Sequence, residues 1–220
     1  VLLTMFLSAR ANIDRALSLL RGFDEGFWRE LREEEDSIDL MTDRVSNYLV
    51  ALAPHLSDVL HISILDQYYK VVTEFERLGD HAVNIGQAAE DLMQKKLAFS
   101  EAALSELAVF EKLIGQILDY TESAFSRRDV NAARHIEPLE QVVDDAVYAM
   151  RENHLARLRK GKCSIDAGTS FITFNATEGQ PVVISYATVL EPGKSYTNTR
   201  VMLNGLEFDA AAMVATEHNL

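Results

Sequence analysis

The spacing of the apolar residues from Leu2 to about Lys160 constrains this chain more than any other feature. Apolar side chains recur three and four positions apart in this stretch, which is rich in Ala, Leu, Glu, Arg and Gln. This spacing is the period of an α-helix that buries one face. It predicts a mainly α protein whose long helices pack through apolar stripes. We expect five helices, over residues 3–21, 27–54, 58–96, 100–128 and 130–160.

The expected ends of these helices follow from single residues. Pro54 ends the second helix, and Ser57 and Asp58 are candidate N-caps of the third because their side-chain oxygens can accept from free backbone amides. Ser100 begins the fourth helix. Pro138 lies inside the fifth and predicts a kink or a break there, since proline removes a helical hydrogen bond.

The composition changes beyond about Thr173. Thr, Val, Tyr, Asn and Gly become frequent, which is typical of strands and turns. We predict strands over residues 182–190 and 196–203. Asn204 and Gly205 favour a tight hairpin turn, because both tolerate positive φ. Two architectures therefore share one chain.

Charge and cysteine content narrow the classes of partner and compartment. The 220 residues carry a formal charge of −13, which argues against nucleic acid as a partner and favours cations, basic proteins or metal ions. Cys163 is the only cysteine, so no internal disulfide can form and a cytoplasmic location is expected. The opening apolar run soon meets Arg10 and Asp14, far short of the ~20 residues needed to span a bilayer.

Acidic residues four positions apart occur in three segments, and two of these segments are related by the predicted helix hairpin. Glu35 with Asp39, and Glu76 with Asp80, each place two carboxylates on one helix face. If the second and third helices are antiparallel, Glu35 faces Asp80 and Asp39 faces Glu76, because both pairs are centred on the predicted turn. The third segment holds Glu140 and Asp144.

Two interpretations of the four facing acids remain open on the residues alone. Converging carboxylates repel one another unless a cation, Arg77 or water separates them, and a metal ion with oxygen ligands would remove the conflict. Alternatively, the acids point outward and balance surface bases such as Arg44, with no bound ion. Asp43, one turn beyond Asp39, and His81, beside Asp80, are weaker candidates for the same site.

Two stretches resemble the PhoU family: EEEDSIDLMTDRVSNYLVALA and TEFERLGDHAVNIGQAAEDL. They are especially similar to the PhoU-like domains at the C-terminus of bacterial Na/phosphate cotransporters. The resemblance implies tandem three-helix bundles and acid clusters that bind iron, zinc, manganese or a similar divalent or trivalent metal ion. It implies Glu35, Asp39, Glu76 and Asp80 as the metal ligands. It also implies that the protein can lie at the inner face of the membrane. Its attachment there would be indirect, through a partner or through a preceding transporter part.

A second, diverged copy of this pattern is visible further along the chain. Glu140 and Asp144 correspond to Glu35 and Asp39, but no second Glu-Arg-x-x-Asp segment follows. We therefore expect a first three-helix unit over residues 1–98, a second, incomplete unit over 99–172 and a short C-terminal β-rich segment over 173–220. A missing helix would expose Val142, Val143, Val147 and Leu155 unless the β segment or another chain covers them, and a homodimer is one such covering.

The sequence favours a regulator over an enzyme. It has no P-loop and no Gly-x-Ser-x-Gly nucleophile elbow. By resemblance, the partners would be a phosphate transporter, of the Na/phosphate cotransporter or ABC type, and a sensor kinase. Two other classes stay open: a metal-dependent hydrolase on a helical bundle, and a purely structural helical interaction module with solvated acids.

Overall fold

A computed structural model of the chain describes residues 1–161, which are mainly helical, and the backbone of residues 200–203 and 206–209. A short 3-10 helix, Ala53–His55, joins the second and third α-helices. The α-helices are α1 Leu2–Leu19, α2 Glu25–Leu52, α3 Val59–Gln94, α4 Glu101–Arg127, α5 Val130–Ala133 and α6 Ile136–Arg159. The mainly α prediction is confirmed.

Four of these helices, α2 to α5, begin at residues whose side chains accept hydrogen bonds from backbone amides, and Asp129 caps α5 in this way. Asp58 accepts from the amide of Leu60 at 3.1 Å and Ser100 from that of Ala103 at 3.3 Å, as the sequence predicted. Asp24 caps α2 in the same way, which sets its start ahead of the predicted position. These bonds satisfy amides that have no partner within the helix.

The predicted fifth helix is broken, and the break lies ahead of Pro138. α5 ends at Ala133 and α6 begins at Ile136, so Pro138 occupies the first turn of α6. A proline there loses no helical hydrogen bond, whereas its ring would clash with the carbonyl of Arg134 in a continuous helix. The prediction of a kink or break at this proline is confirmed.

α1, α2 and α3 form the first helical bundle around a shared apolar core. The Asn12 amide of α1 donates to the carbonyl oxygen of Leu31 in α2 at 2.9 Å. On the other side of α1, the ring of Phe6 lies 5.3 Å from that of Phe75 in α3. The fully buried Ile38 of α2 joins the same core. These contacts fix α1 between the two arms of the α2–α3 hairpin.

Ion pairs join α4 to α1 on one side and to α6 on the other. Arg10 donates to Asp119 and, at 2.7 Å, to Glu122. Arg157 of α6 donates to both oxygens of Glu106, at 2.7 and 2.9 Å. A two-pronged pair of this kind holds helix register better than a single contact does.

The face of α6 that would pack against the missing helix of the second unit is partly exposed. Val142 and Leu155 are exposed, while Val143 and Val147 are half-buried against the core. The proposed second unit therefore covers only part of this face within residues 1–161. The boundaries of the three predicted units stay predictions.

A two-stranded antiparallel sheet lies near the end of the chain. β1 Arg200–Leu203 pairs with β2 Leu206–Asp209, with Leu203 opposite Leu206. β1 lies within the predicted strand over residues 196–203. The predicted strand over residues 182–190 and the predicted turn at Asn204 and Gly205 lie outside the described residues.

Within the described residues, no helix combines the length and the apolar character that crossing a membrane requires.

Candidate carboxylate site

Two glycines of α3 allow α2 to lie directly against it. A Cβ atom at Gly86 would lie 2.3 Å from Cζ3 of the Trp28 ring, far inside van der Waals contact. A Cβ at Gly79 would lie 3.3 Å from Cδ1 of Ile38 and 4.0 Å from Cγ of Glu35. These pairs are centred on the α2–α3 turn, so the antiparallel register predicted for the acids agrees with the structure.

The four predicted acids lie along this close approach, two on each helix. Glu35 and Glu76 are half-buried, whereas Asp39 and Asp80 are exposed. Burial, followed by the negative charges of Asp39, Asp80 and Asp36, raises the pKa of Glu35 to about 7. A carboxyl group with such a pKa holds its proton well above the usual pH range for Glu.

The acids also act on one another across the two helices. Burial and then the charges of Asp80 and Asp39 raise the pKa of Glu76. Burial and then the charge of Asp39 raise the pKa of Asp80, while His81 and Arg77 oppose that rise. Because such effects require proximity, the four carboxylates form one electrostatic cluster, which we call the carboxylate cluster.

Surface bases do not form ion pairs with this cluster in the part of the chain that the structure describes. The Arg77 guanidinium donates instead to both oxygens of Glu74, at 3.2 Å each. Arg44 forms no ion pair among residues 1–161. The interpretation in which Arg44 and Arg77 neutralise the acids by direct pairing therefore gains no support.

The cluster supplies oxygen donors of the kind that bind cations, and its four residues lie on two adjacent helices. Their side chains, however, are not gathered around one point. Clustered carboxylates with raised pKa values are the oxygen donors that hard cations prefer. Within the described residues, however, no three acidic, His or Cys side chains stand close enough together to hold a metal ion. Coordination of a metal ion would require new side-chain rotamers of Glu35, Asp39, Glu76 and Asp80, while the backbones of α2 and α3 stay in place.

The two weaker candidates near the cluster differ in their surroundings. Asp43 is exposed on α2, one turn beyond Asp39. His81 is half-buried, and its Nδ1 atom has no hydrogen-bond partner among the described residues. Burial and then the charge of Arg77 lower the pKa of His81, although Asp80 opposes this effect. A neutral imidazole with a free nitrogen has the form that a metal ligand requires.

The second pair, Glu140 and Asp144, faces no acid of another helix among the residues that the structure describes. Burial, then the charges of Asp144 and Glu137, raise the pKa of Glu140 to about 7. All of these charges belong to α6 itself. In the described residues, α6 therefore presents an acidic face without the facing pair that α3 supplies to α2.

One buried acid of α3 was missed by the sequence analysis. Glu74 is buried, and burial raises its pKa even though its partner Arg77 opposes the rise. The spacing of Glu74 and Arg77 indicates an ion pair, but the pattern does not show that this acid faces inward. Its pairing explains why Arg77 is engaged away from the carboxylate cluster.

Comparisons with known proteins agree with this architecture. Residues 2–89 match the family described as PhoU domain. The chain is 22% identical over 165 residues to the phosphate-specific transport system accessory protein PhoU homolog 1 of Thermotoga maritima, covering 73% of this chain and 69% of the relative. It is 22% identical over 173 residues to the corresponding PhoU homolog of Clostridium acetobutylicum, covering 78% of each.

A solved structure supports the fold independently of close sequence similarity. The crystal structure of PhoU from Pseudomonas aeruginosa superposes with a TM-score of 0.73 at 19% identity, covering 80% of this chain and 84% of that one. At this identity the likeness concerns the fold. The resemblance of the chain to the PhoU family is thus confirmed, with residues 2–89 carrying the match to the PhoU domain.

Proposed function

We propose that this protein regulates phosphate uptake by docking to a phosphate transporter, and that a metal ion at the carboxylate cluster controls the docking. The relatives named above are accessory proteins of phosphate-specific transport systems, which supports the transport context. The observation that carries the metal part is that, after burial, the charges of Asp39 and Asp80 raise the pKa values of both Glu35 and Glu76 across the two helices.

The cluster couples ionisation to the packing of α2 on α3. Gly79 lies at the level of the acids, against Ile38 and Glu35, so the two helix backbones are in close contact there. Repulsion among ionised carboxylates pushes the helices apart, while protonation relieves it. A bound cation would supply positive charge that neutralises Glu35, Asp39, Glu76 and Asp80. The spacing of α2 and α3, and the surface they present, would follow the charge state.

A transporter partner fits the acidic surface. A chain with a formal charge of −13 is attracted to basic segments, which steer association with a complementary partner. The transporter could be of the Na/phosphate cotransporter or ABC type, and a sensor kinase is a second candidate partner. We propose a cytoplasmic location, at the inner face of the membrane through that transporter.

Elemental analysis of the purified protein tests the metal part of the proposal. We expect near-stoichiometric iron, zinc or manganese in the wild type and its loss in the Glu76→Ala, Asp80→Ala double variant. A matched control is Asp66→Ala, Glu90→Ala, which removes two acids from the same helix outside the cluster. Equal metal content in all three proteins would refute the assignment of the site.

Uptake measurements test the regulatory part separately. In cells that lack the native gene, we expect the wild-type chain and the control variant to restore phosphate-dependent uptake, and the cluster variant to fail. If the cluster variant loses metal but restores uptake, the metal has no role in regulation. Turnover of phosphoesters by the metal-loaded protein would instead favour the hydrolase alternative, which requires an open coordination position.

A further inference from the structure

One phenylalanine of α3 makes ring contacts with two other helices. The Phe75 ring lies 5.3 Å from that of Phe6 in α1, with an interplanar angle of 51°, and 5.4 Å from that of Phe125 in α4, at 85°. Phe6 and Phe75 are buried, and Phe125 packs against the same core. Tilted and edge-to-face ring pairs depend on orientation, so a shift of α3 here changes both contacts. We call these three rings the aromatic joint.

The aromatic joint and the carboxylate cluster lie at the same level of α3. Phe75 directly precedes Glu76, so the two residues differ by about 1.5 Å along the helix axis and by about 100° around it. Phe75 contacts α1 and α4, whereas the charge of Asp39 in α2 acts on Glu76. One turn further on, Gly79 lies against Ile38 of α2. The helix α3 therefore carries the cluster on one side and the joint on another.

Ion pairs lie beside the aromatic joint where α1 meets α4. Arg10 follows Phe6 by one turn and pairs with Asp119 and, at 2.7 Å, with Glu122. Glu122 in turn precedes Phe125 by about one turn, so the charged and the aromatic contacts are neighbours on both helices. The C-terminal half of α4 is therefore held to the first bundle at the level of the carboxylate cluster.

A second attachment of α4 lies nearer its start. Arg21 of α1 pairs with Glu111, and the neighbouring Phe110 is fully buried. From Phe110 to Phe125 the helix spans about 22 Å. Because α4 is held at two separate levels, a displacement at the aromatic joint turns the helix about the Arg21–Glu111 attachment.

The C-terminal half of α4 also carries the beginning of α6. The Tyr120 ring stacks on that of His135, with ring centroids 4.9 Å apart and an interplanar angle of 28°. His135 directly precedes α6, which begins at Ile136. A movement of α4 at the aromatic joint is therefore passed on to α6 and changes the surface that these helices present.

We propose that the aromatic joint couples the carboxylate cluster to α4, so that the spacing of α2 and α3 sets the position of the C-terminal half of α4. Neutral side chains or a bound cation let α2 approach α3, which presses Phe75 against the rings of Phe6 and Phe125. Packed side chains on rigid helices are the elements that carry such coupling. The coupling rests on the proposed control of the α2–α3 spacing by the cluster, but not on the identity of the cation.

Amide hydrogen exchange of the full chain, followed by mass spectrometry with chelator present, tests the coupling. The Glu76→Gln, Asp80→Asn variant removes two cluster charges with little change of shape. We expect amides of residues 117–127 to exchange more slowly relative to those of residues 101–110, by roughly fivefold or more. This ratio within one helix cancels any change in global stability. The control variant Asp66→Asn, Glu90→Gln removes two charges of α3 outside the cluster and should leave the ratio unchanged.

A second substitution tests whether the aromatic joint carries the effect. Phe75→Leu should abolish the response of residues 117–127 to the charge variant, and Phe125→Leu provides the same test at a less buried ring. Phe110→Leu makes the same change in α4 away from the joint and should leave the response in place. An unchanged exchange ratio in the charge variant, or a response that survives both Phe75→Leu and Phe125→Leu, would overturn the coupling.

The metal proposal and the coupling can fail separately. If elemental analysis finds no metal but the charge variant slows exchange in residues 117–127, the coupling stands and the metal part of the proposed function fails. If the Glu76→Ala, Asp80→Ala variant loses a bound metal while the exchange ratio never changes, the metal site stands and the coupling is refuted.

Discussion

Substitution of three helical glycines by alanine should change stability in opposite directions, according to the space each site offers. Gly115 in α4 has no atom within 4 Å of an added Cβ. Alanine there gains only helix propensity, so we expect Gly115→Ala to raise the free energy of unfolding by about 1 kcal/mol. It is the matched control for the two glycines at the α2–α3 contact.

Gly86→Ala should destabilise the protein despite the same gain in propensity. The added Cβ would lie 2.3 and 2.7 Å from two ring carbons of the buried Trp28, which has no room to yield. Overpacking of this kind costs about 3 kcal/mol, and subtracting about 1 kcal/mol of propensity leaves a net loss of about 2 kcal/mol. Gly86→Ala and Gly115→Ala should then differ by about 3 kcal/mol.

The free energy of unfolding of the Gly79→Ala variant should lie between those of the Gly86→Ala and Gly115→Ala variants. Its added Cβ would lie 3.3 Å from Cδ1 of Ile38, the mobile end of a side chain that can shift by a few tenths of an ångström. The propensity gain and the contact cost then nearly cancel, to within about 0.5 kcal/mol. Because this site lies beside Glu35, Gly79→Ala should also lower any metal affinity of the carboxylate cluster.

Urea unfolding followed by circular dichroism measures all three variants under one set of conditions. The midpoints convert to free energies only if the slopes of the transitions agree, since a changed slope indicates a changed unfolded or native state. If Gly86→Ala proved as stable as Gly115→Ala, Trp28 would not pack on α3, and the facing register of the carboxylate cluster would be wrong.

Three further substitutions test single features. The folded-state pKa of Glu35 is about 7, above its unfolded value near 4.5. With chelator present, the protonated Glu35 therefore makes a contribution to stability that is fully present below pH 4.5 and is lost as the pH rises through 7. Glu35→Gln should therefore flatten the decline in the urea midpoint between pH 5 and 8, and an unchanged decline would refute the pKa assignment. Asn12→Ala removes the buried donor to the Leu31 carbonyl and should cost about 1–3 kcal/mol by urea unfolding, whereas no loss would exclude this hydrogen bond. Asp24→Ala removes the cap on the Phe27 amide and should cost about 1 kcal/mol, while Asp24→Asn should cost much less.

Much of the fold was predictable because its signals are local. Helical period, the caps at Asp58 and Ser100 and the interruption near Pro138 each depend on a few adjacent residues. The facing of Glu35 and Asp80 was also predictable, since a short turn between antiparallel helices leaves little freedom in their register. The inward position of Glu74 was not predictable, because it depends on how α3 is rotated against its neighbours.

The carboxylate cluster divides in the same way between local and tertiary information. The sequence by itself determined which acids share a helix face and which helix pairs could bring them to one level. Only the tertiary structure decided that Glu35 is half-buried with a pKa of about 7 and that Arg77 donates to Glu74. It also decided that, within the described part of the chain, the acids acting on Glu140 belong to its own helix. The physical reason is that helical period fixes directions around one axis, whereas burial and charge interaction depend on the distances between axes, which packing sets.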